Sequence, residues 1–340
     1  MSSLRRTPPT SLQQWLVTCA VLWFITGLFL DGWAHLHIPE LETFFTPWHG
    51  ILYSGYFLST ITILGITLWN RRAQRGSFSS AIPLGYGCAL IGAIIFAAGG
   101  VGDLVWHETF GIEGGIEALL SPTHLLLATG GFLIITANLR AWMLDRSSIK
   151  TSAFMDHVPV LFSATCGLAL VSFFMQFSHY ITVRAGGAFP GMEITELMQT
   201  AAITGYLFDT ILLIGTLLFI TRRGMLPLGS HTFVIVLSTL AMAAMRDGLF
   251  LLPSAIVTGI VADIIGRKNF PFEEHVQRVR VFSFVVPTTL FIGYFSTIMM
   301  TNGIWWSVHL WTGSIVMAGL AGLLLSYCFL SPREVYSLRA

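Results

Sequence analysis

The chain has 340 residues, 54% of them hydrophobic and 10% charged, where a water-soluble globule carries about 25% charged residues. A net charge of +1 leaves no basic surface for nucleic acid and no acidic tail. Cys19, Cys88, Cys166 and Cys328 each stand alone in an apolar run, without a CxxC pair, which argues against a disulfide framework or a thiolate zinc site.

The basic start (Arg5, Arg6) followed by an apolar run from Trp15 to Leu30 has the outline of a signal peptide. No small-residue cleavage site follows it, and the residues just beyond belong to a motif that recurs, so it reads as the first membrane helix. Apolar runs predict helices at 14–35, 47–69, 82–107, 122–143, 157–179, 198–220, 231–252, 253–267, 281–301 and 305–330. Leu251-Leu252-Pro253 turns the chain between the seventh and eighth. The expectation is all-α: a polytopic transmembrane bundle of about ten helices built from repeated hairpins. It forms a single integral membrane domain over 1–340, with two duplicated hairpins in 1–143 and the remaining helices in 144–340. Its partner is the lipid bilayer, with room for other membrane subunits.

Lysine and arginine in short loops set the orientation. With the N-terminus inside, all of the 18 cationic residues except Arg184 and Arg246 fall on the inner side. This predicts a protein of the cytoplasmic membrane with both termini in the cytoplasm. The histidines show the opposite bias. His35, His37, His49, His107, His124, His179 and His309 map to outer helix ends, whereas His157, His231 and His275 map to the inner side.

Helices one and two read WFITGLFLDGWAH and FFTPWHGILYSGYFL; helices three and four read IIFAAGGVGDLVWH and LLSPTHLLLATGGFL. Phe24, Gly27, Asp31, His35, Thr46-Pro47, His49 and Gly55 align with Phe96, Gly99, Asp103, His107, Ser121-Pro122, His124 and Gly130. In each pair Asp and the first His are four apart and share one face of a helix end. The second His sits in the first turn of the next helix, behind a Thr or Ser cap and a proline. There the helix dipole disfavours an imidazolium and favours the neutral, ligating ring. Asp31, His35 and His49, and likewise Asp103, His107 and His124, are candidate metal ligands. Two imidazoles with a carboxylate suit copper, zinc or iron. The competing readings are hydrogen bonding at helix ends and ligation of haem.

The segments DLVWHETF…LLSPTH and DGWAH…FFTPWH resemble the copper-binding segment found in one membrane-embedded component of the particulate methane and ammonia monooxygenases. In that family the pattern runs Asp-x-x-Trp-His, a short loop, then Thr-Pro-Ser-His at the start of the next helix. The resemblance implies copper on Asp103, His107 and His124, and in the other copy on Asp31, His35 and His49. It also implies a monooxygenase-like role alongside partner subunits. Trp106 directly precedes His107 as in the family, whereas Trp33 stands two residues before His35, so the second triad is expected to be the better site.

Among the remaining intramembrane charges, Asp209 near the middle of helix six and Arg246 in helix seven are expected to neutralise each other. Asp263 and Arg267, four apart, are expected to form an interfacial pair. The leading reading is a membrane metalloprotein with its site at the outer interface. The alternatives are a metal transporter or channel, a haem electron carrier, and a scaffold without chemistry.

Overall fold

The computed structural model of the protein describes residues 6–38, 45–111, 115–145, 153–185, 195–267 and 273–329. These residues form helices and no strand. In chain order the helices are α1 (Ser11–His37), α2 (Pro47–Gln74), α3 (Phe78–Ala81), α4 (Gly87–Phe110), α5 (Glu117–Leu120), α6 (Pro122–Ile135) and α7 (Ala137–Leu144). They continue as α8 (Phe154–Phe174), α9 (Glu196–Arg223), α10 (Ser230–Met245), α11 (Leu252–Gly266), α12 (Val276–Thr301) and α13 (Val308–Phe329). A helix lies at each of the ten expected positions. Among the described residues, eight helical segments are long and apolar enough to cross a membrane, and α6 with α7 makes a ninth if that bent pair counts as one span. The tenth, α10, has 16 residues. Large apolar side chains such as Ile61, Ile94 and Ile264 stay more than three-fifths exposed, which suits lipid contact and not water. The protein is therefore a multi-pass membrane protein.

The chain separates into two compact units. One comprises Met1–Thr151 with Val158–Phe174, the other Ser152–His157 with Met175–Ala340. In the first unit α1 packs on α2 and α4 on α6, around a core that includes Phe24, Tyr56, Phe96 and Ile134. The glycines aligned in the sequence set these approaches. A Cβ on Gly55 would lie 2.5 Å from the Phe24 Cα, and one on Gly130 would lie 2.5 Å from the Phe96 backbone N. Gly27 meets the Leu52 backbone and Gly99 the Leu127 backbone in the same way. Corresponding residues thus make corresponding contacts in both hairpins, and each helix pair closes to backbone distance.

The fourth expected span is bent by 50° at Thr136, between α6 and α7. The cause lies in α8. Ser163 Oγ donates to the Ile135 carbonyl at 2.7 Å and accepts the Leu139 N–H at 3.2 Å. It occupies the place of the helical bond that would join those two residues. A side chain inserted into the ladder in this way kinks a helix. The Arg140 guanidinium bonds the Leu133 carbonyl and Thr136 Oγ1 beside the bend.

In the second unit α12 packs on α11 and α13, and α9 on α13, around buried Tyr206, Phe282, Phe291, Tyr294 and Phe295. The expected seventh helix ends early, at Met245. Asp247 takes a positive φ of 52° and a 3-10 turn (Leu249–Leu251) leads into α11. Arg246 and Asp247 therefore sit in the break between two helices and not inside one.

Replacing Ser163 by alanine should leave the Ile135 carbonyl and Leu139 N–H unpaired in an apolar setting, at a cost of about 1–3 kcal/mol. Thermal unfolding in detergent should show a lowered midpoint for Ser163→Ala. An unchanged midpoint would mean that the Ile135 carbonyl and the Leu139 N–H find other partners once the serine is gone.

Candidate metal centre

Both triads come together inside the first unit. The donor atoms of Asp31, His35 and His49 all lie within 4.8 Å of one another, as do those of Asp103, His107 and His124. In the α4–α6 hairpin, His107 Nε2 is 3.5 Å and His124 Nε2 3.4 Å from the Asp103 carboxylate. In the α1–α2 hairpin the distances to Asp31 are 3.9 Å from His35 and 3.5 Å from His49. Ligands held about 2.0–2.2 Å from a tetrahedral ion stand roughly 3.3–3.6 Å apart, so the second triad meets that spacing at both imidazoles and the first at one.

Local structure explains the convergence. Ser121 Oγ caps α6 by accepting the His124 N–H, with Pro122 next, and Thr46 Oγ1 caps α2 by accepting the His49 N–H, with Pro47 next. Each cap fixes the first turn and with it the histidine ring. Asp103 and His107 rise one turn apart at the other side of the hairpin, as do Asp31 and His35. The chain reverses after α4 at Gly111, whose φ of 84° is in the left-handed region. Its N–H bonds the His107 carbonyl, and its own carbonyl lies 3.3 Å from His107 Nδ1.

In that contact the carbonyl can only accept, so His107 Nδ1 carries a proton and Nε2 is the nitrogen turned toward Asp103. His124 Nδ1 lies 2.7 Å from Ser121 Oγ, Ser121 Oγ lies 3.3 Å from Thr123 Oγ1, and Thr123 Oγ1 donates to Asp103 Oδ1 at 2.9 Å. Run in that direction, the chain of hydrogen bonds makes His124 Nδ1 a donor too. Both rings thus turn Nε2 toward one buried carboxylate, at 3.5 and 3.4 Å. Sequence reasoning does not single out Thr123; its place between the cap and His124 in Ser-Pro-Thr-His is the one signal available.

The first triad is less enclosed. The His35 side chain is 38% exposed against 8% for His107. Asp31 Oδ1 is buried without a hydrogen-bond partner among the described residues, whereas Thr123 serves Asp103. Neither carboxylate pairs with a lysine or arginine among the described residues.

The expected Asp209–Arg246 pair does not form among the described residues. After α8 the connection from Met175 to Ala185 folds inward, and the buried Tyr180 N–H donates to Asp209 Oδ2 at 2.8 Å. His179 stands beside the same carboxylate, with Nε2 3.9 Å from Oδ1. Burial, reinforced by the charge of Arg246, pulls the His179 pKa down to about 3, so that ring is neutral. Arg246 instead has its backbone carbonyl bonded by Arg184. The expected Asp263–Arg267 pair is also replaced. Asp263 accepts the backbone N–H groups of His231 and Thr232, at 3.0 and 3.1 Å, together with both side chains. It caps α10 from a neighbouring helix, which the spacing of its own helix could not reveal.

No protein-family model, curated protein or solved structure matches the chain. The case for chemistry rests on the geometry of the two triads.

Since Asp209 serves the Tyr180 N–H, Asp209→Asn should be close to neutral because it keeps an acceptor. Asp209→Leu should cost about 1–3 kcal/mol of stability. Adding Arg246→Leu to Asp209→Leu should add its own loss and rescue nothing, as for independent sites. Recovery in the double variant, read by thermal unfolding, would restore the direct pair.

Proposed function

We propose that this multi-pass membrane protein binds a divalent transition metal at Asp103, His107 and His124, with Asp31, His35 and His49 as a second and weaker site. The observation that carries the reading is the convergence of Asp103, His107 and His124, whose donor atoms all lie within 4.8 Å of one another, with both Nε2 atoms 3.5 and 3.4 Å from a buried carboxylate. The outer shell supports it, because ligating histidines characteristically donate their second nitrogen to a carbonyl or hydroxyl. Gly111 and Ser121 take those positions here.

Copper is the metal we favour. It binds N and O donors most tightly of the first-row divalent ions, and the resemblance to the copper-binding segment of the particulate methane and ammonia monooxygenases points the same way. Zinc and iron fit the same donors. Two imidazoles and one carboxylate leave coordination positions open, as a reactive or exchangeable centre requires. The chain's own residues hold the ring tautomers, fix the Asp103 rotamer through Thr123 and seat His124 behind Ser121-Pro122. Oxygen chemistry together with other membrane subunits is the activity this reading favours. We place the triads at the outer face of the cytoplasmic membrane, on the strength of the cation bias of the loops.

Purified protein should carry copper after reconstitution, and His107→Ala should lose most of it while His35→Ala loses less. Equal loss from both variants would overturn the ranking, and absence of any metal would remove the metalloprotein reading. Sidedness has its own test. A cysteine at Phe45 should react with an impermeant thiol reagent in intact cells, and one at Arg75 only after lysis. The reverse pattern would place the triads in the cytoplasm.

A further inference from the structure

We propose that the two triads form one paired metal centre, with the Tyr53 side chain between them as a positioning residue shared by both. This rests on the metal reading above and adds that the two sites act on each other.

Tyr53 stands on α2 one turn beyond His49, about 6 Å along the axis. Its ring crosses to α4, where a Cβ on Gly100 would lie 2.9 Å from Cε1 and 3.0 Å from the hydroxyl oxygen. Gly100 in turn precedes Asp103 by three residues, about 4.5 Å. The phenol thus spans from the helix that carries His49 to the helix that carries Asp103, within one turn of each triad. A side chain on Gly100 would remove the space it occupies. Below it the gap is closed by rings. Phe96 lies 6.0 Å from Tyr53, 4.6 Å from Tyr56 and 5.2 Å from Phe24, centroid to centroid.

Two buried carboxylates with four imidazoles and no arginine or lysine paired to either carboxylate among the described residues make a donor set suited to two cations. In a medium of low polarity a divalent ion in one triad disfavours a second in the other.

The test uses the full-length protein in detergent, titrated with Cu(II) and followed by electron paramagnetic resonance. The second equivalent should bind about tenfold or more weakly than the first. Its arrival should broaden the copper signal through spin–spin coupling. His49→Ala, with the first triad broken, should give a single unbroadened copper spectrum. Tyr53→Phe keeps the ring on Gly100 and removes only the hydroxyl, so it should still bind two ions while shifting the copper hyperfine splitting at both triads together. Two ions with independent, unbroadened spectra, or one ion only, would overturn the pairing while leaving the metal reading intact. A shift at neither or only one triad in Tyr53→Phe would remove the shared role of Tyr53. Absence of copper binding would fall on the metal reading itself. The wild-type titration needs no variant, so poor folding of a mutant leaves it decisive.

Discussion

Lipid offers no hydrogen bonds, so every polar group in a membrane-spanning chain has to find its partner within the protein. Much of this structure follows from that constraint. Where α6 gives way to α7, a serine from α8 takes the broken bond and an arginine takes the carbonyl beside it. Where α10 begins, the carboxylate of Asp263 receives its first N–H groups from another helix. Where the chain after α8 runs inward in a series of turns, Asp209 and the hydroxyls of Tyr206 and Tyr294 meet backbone groups that the turns leave over. In the triads each carboxylate faces imidazole nitrogens from two helices, and Asp31 Oδ1 is one of the buried polar atoms without a hydrogen-bond partner among the described residues.

The hairpins that hold the triads are built by backbone contact. Gly55 admits Phe24 and Gly130 admits Phe96 at distances that a methyl group would forbid. Helices this close bring a carboxylate at the end of one and a histidine at the start of the next to the same level. Small residues at the crossing and ligands near the helix ends are thus parts of one device. The crossing sets how near the ligands come, and the Thr-Pro or Ser-Pro start sets their direction.

Helix positions are legible in the sequence because a run of apolar residues long enough to cross a bilayer has few other uses. The members of both triads are legible too, since i, i+4 spacing and a capped, proline-led start are local features. What escapes is whatever a distant helix decides. Asp209 carries a charge that the sequence invites one to pair with Arg246, but an inward-folded connection supplies a backbone N–H instead. Asp263 has a basic residue four positions on, yet its partners come from the start of α10. The Thr136 bend is set by Ser163, more than twenty positions away, and no local pattern announces it. Tyr53 escapes for a related reason. Its spacing from His49 is local, but its value comes from Gly100 on another helix.

The serine plug in α8 also bears on how the chain enters the membrane. Helices α6 and α7 precede α8 in synthesis, and until α8 arrives the Ile135 carbonyl and the Leu139 N–H can pair with each other, as in a straight helix. The bent form of this span therefore belongs to the docked pair, and α8 completes it. The stretch between them, 145–153, is short enough to keep both at hand. In that sense Ser163 helps to fix when the bend forms as well as the shape of a helix.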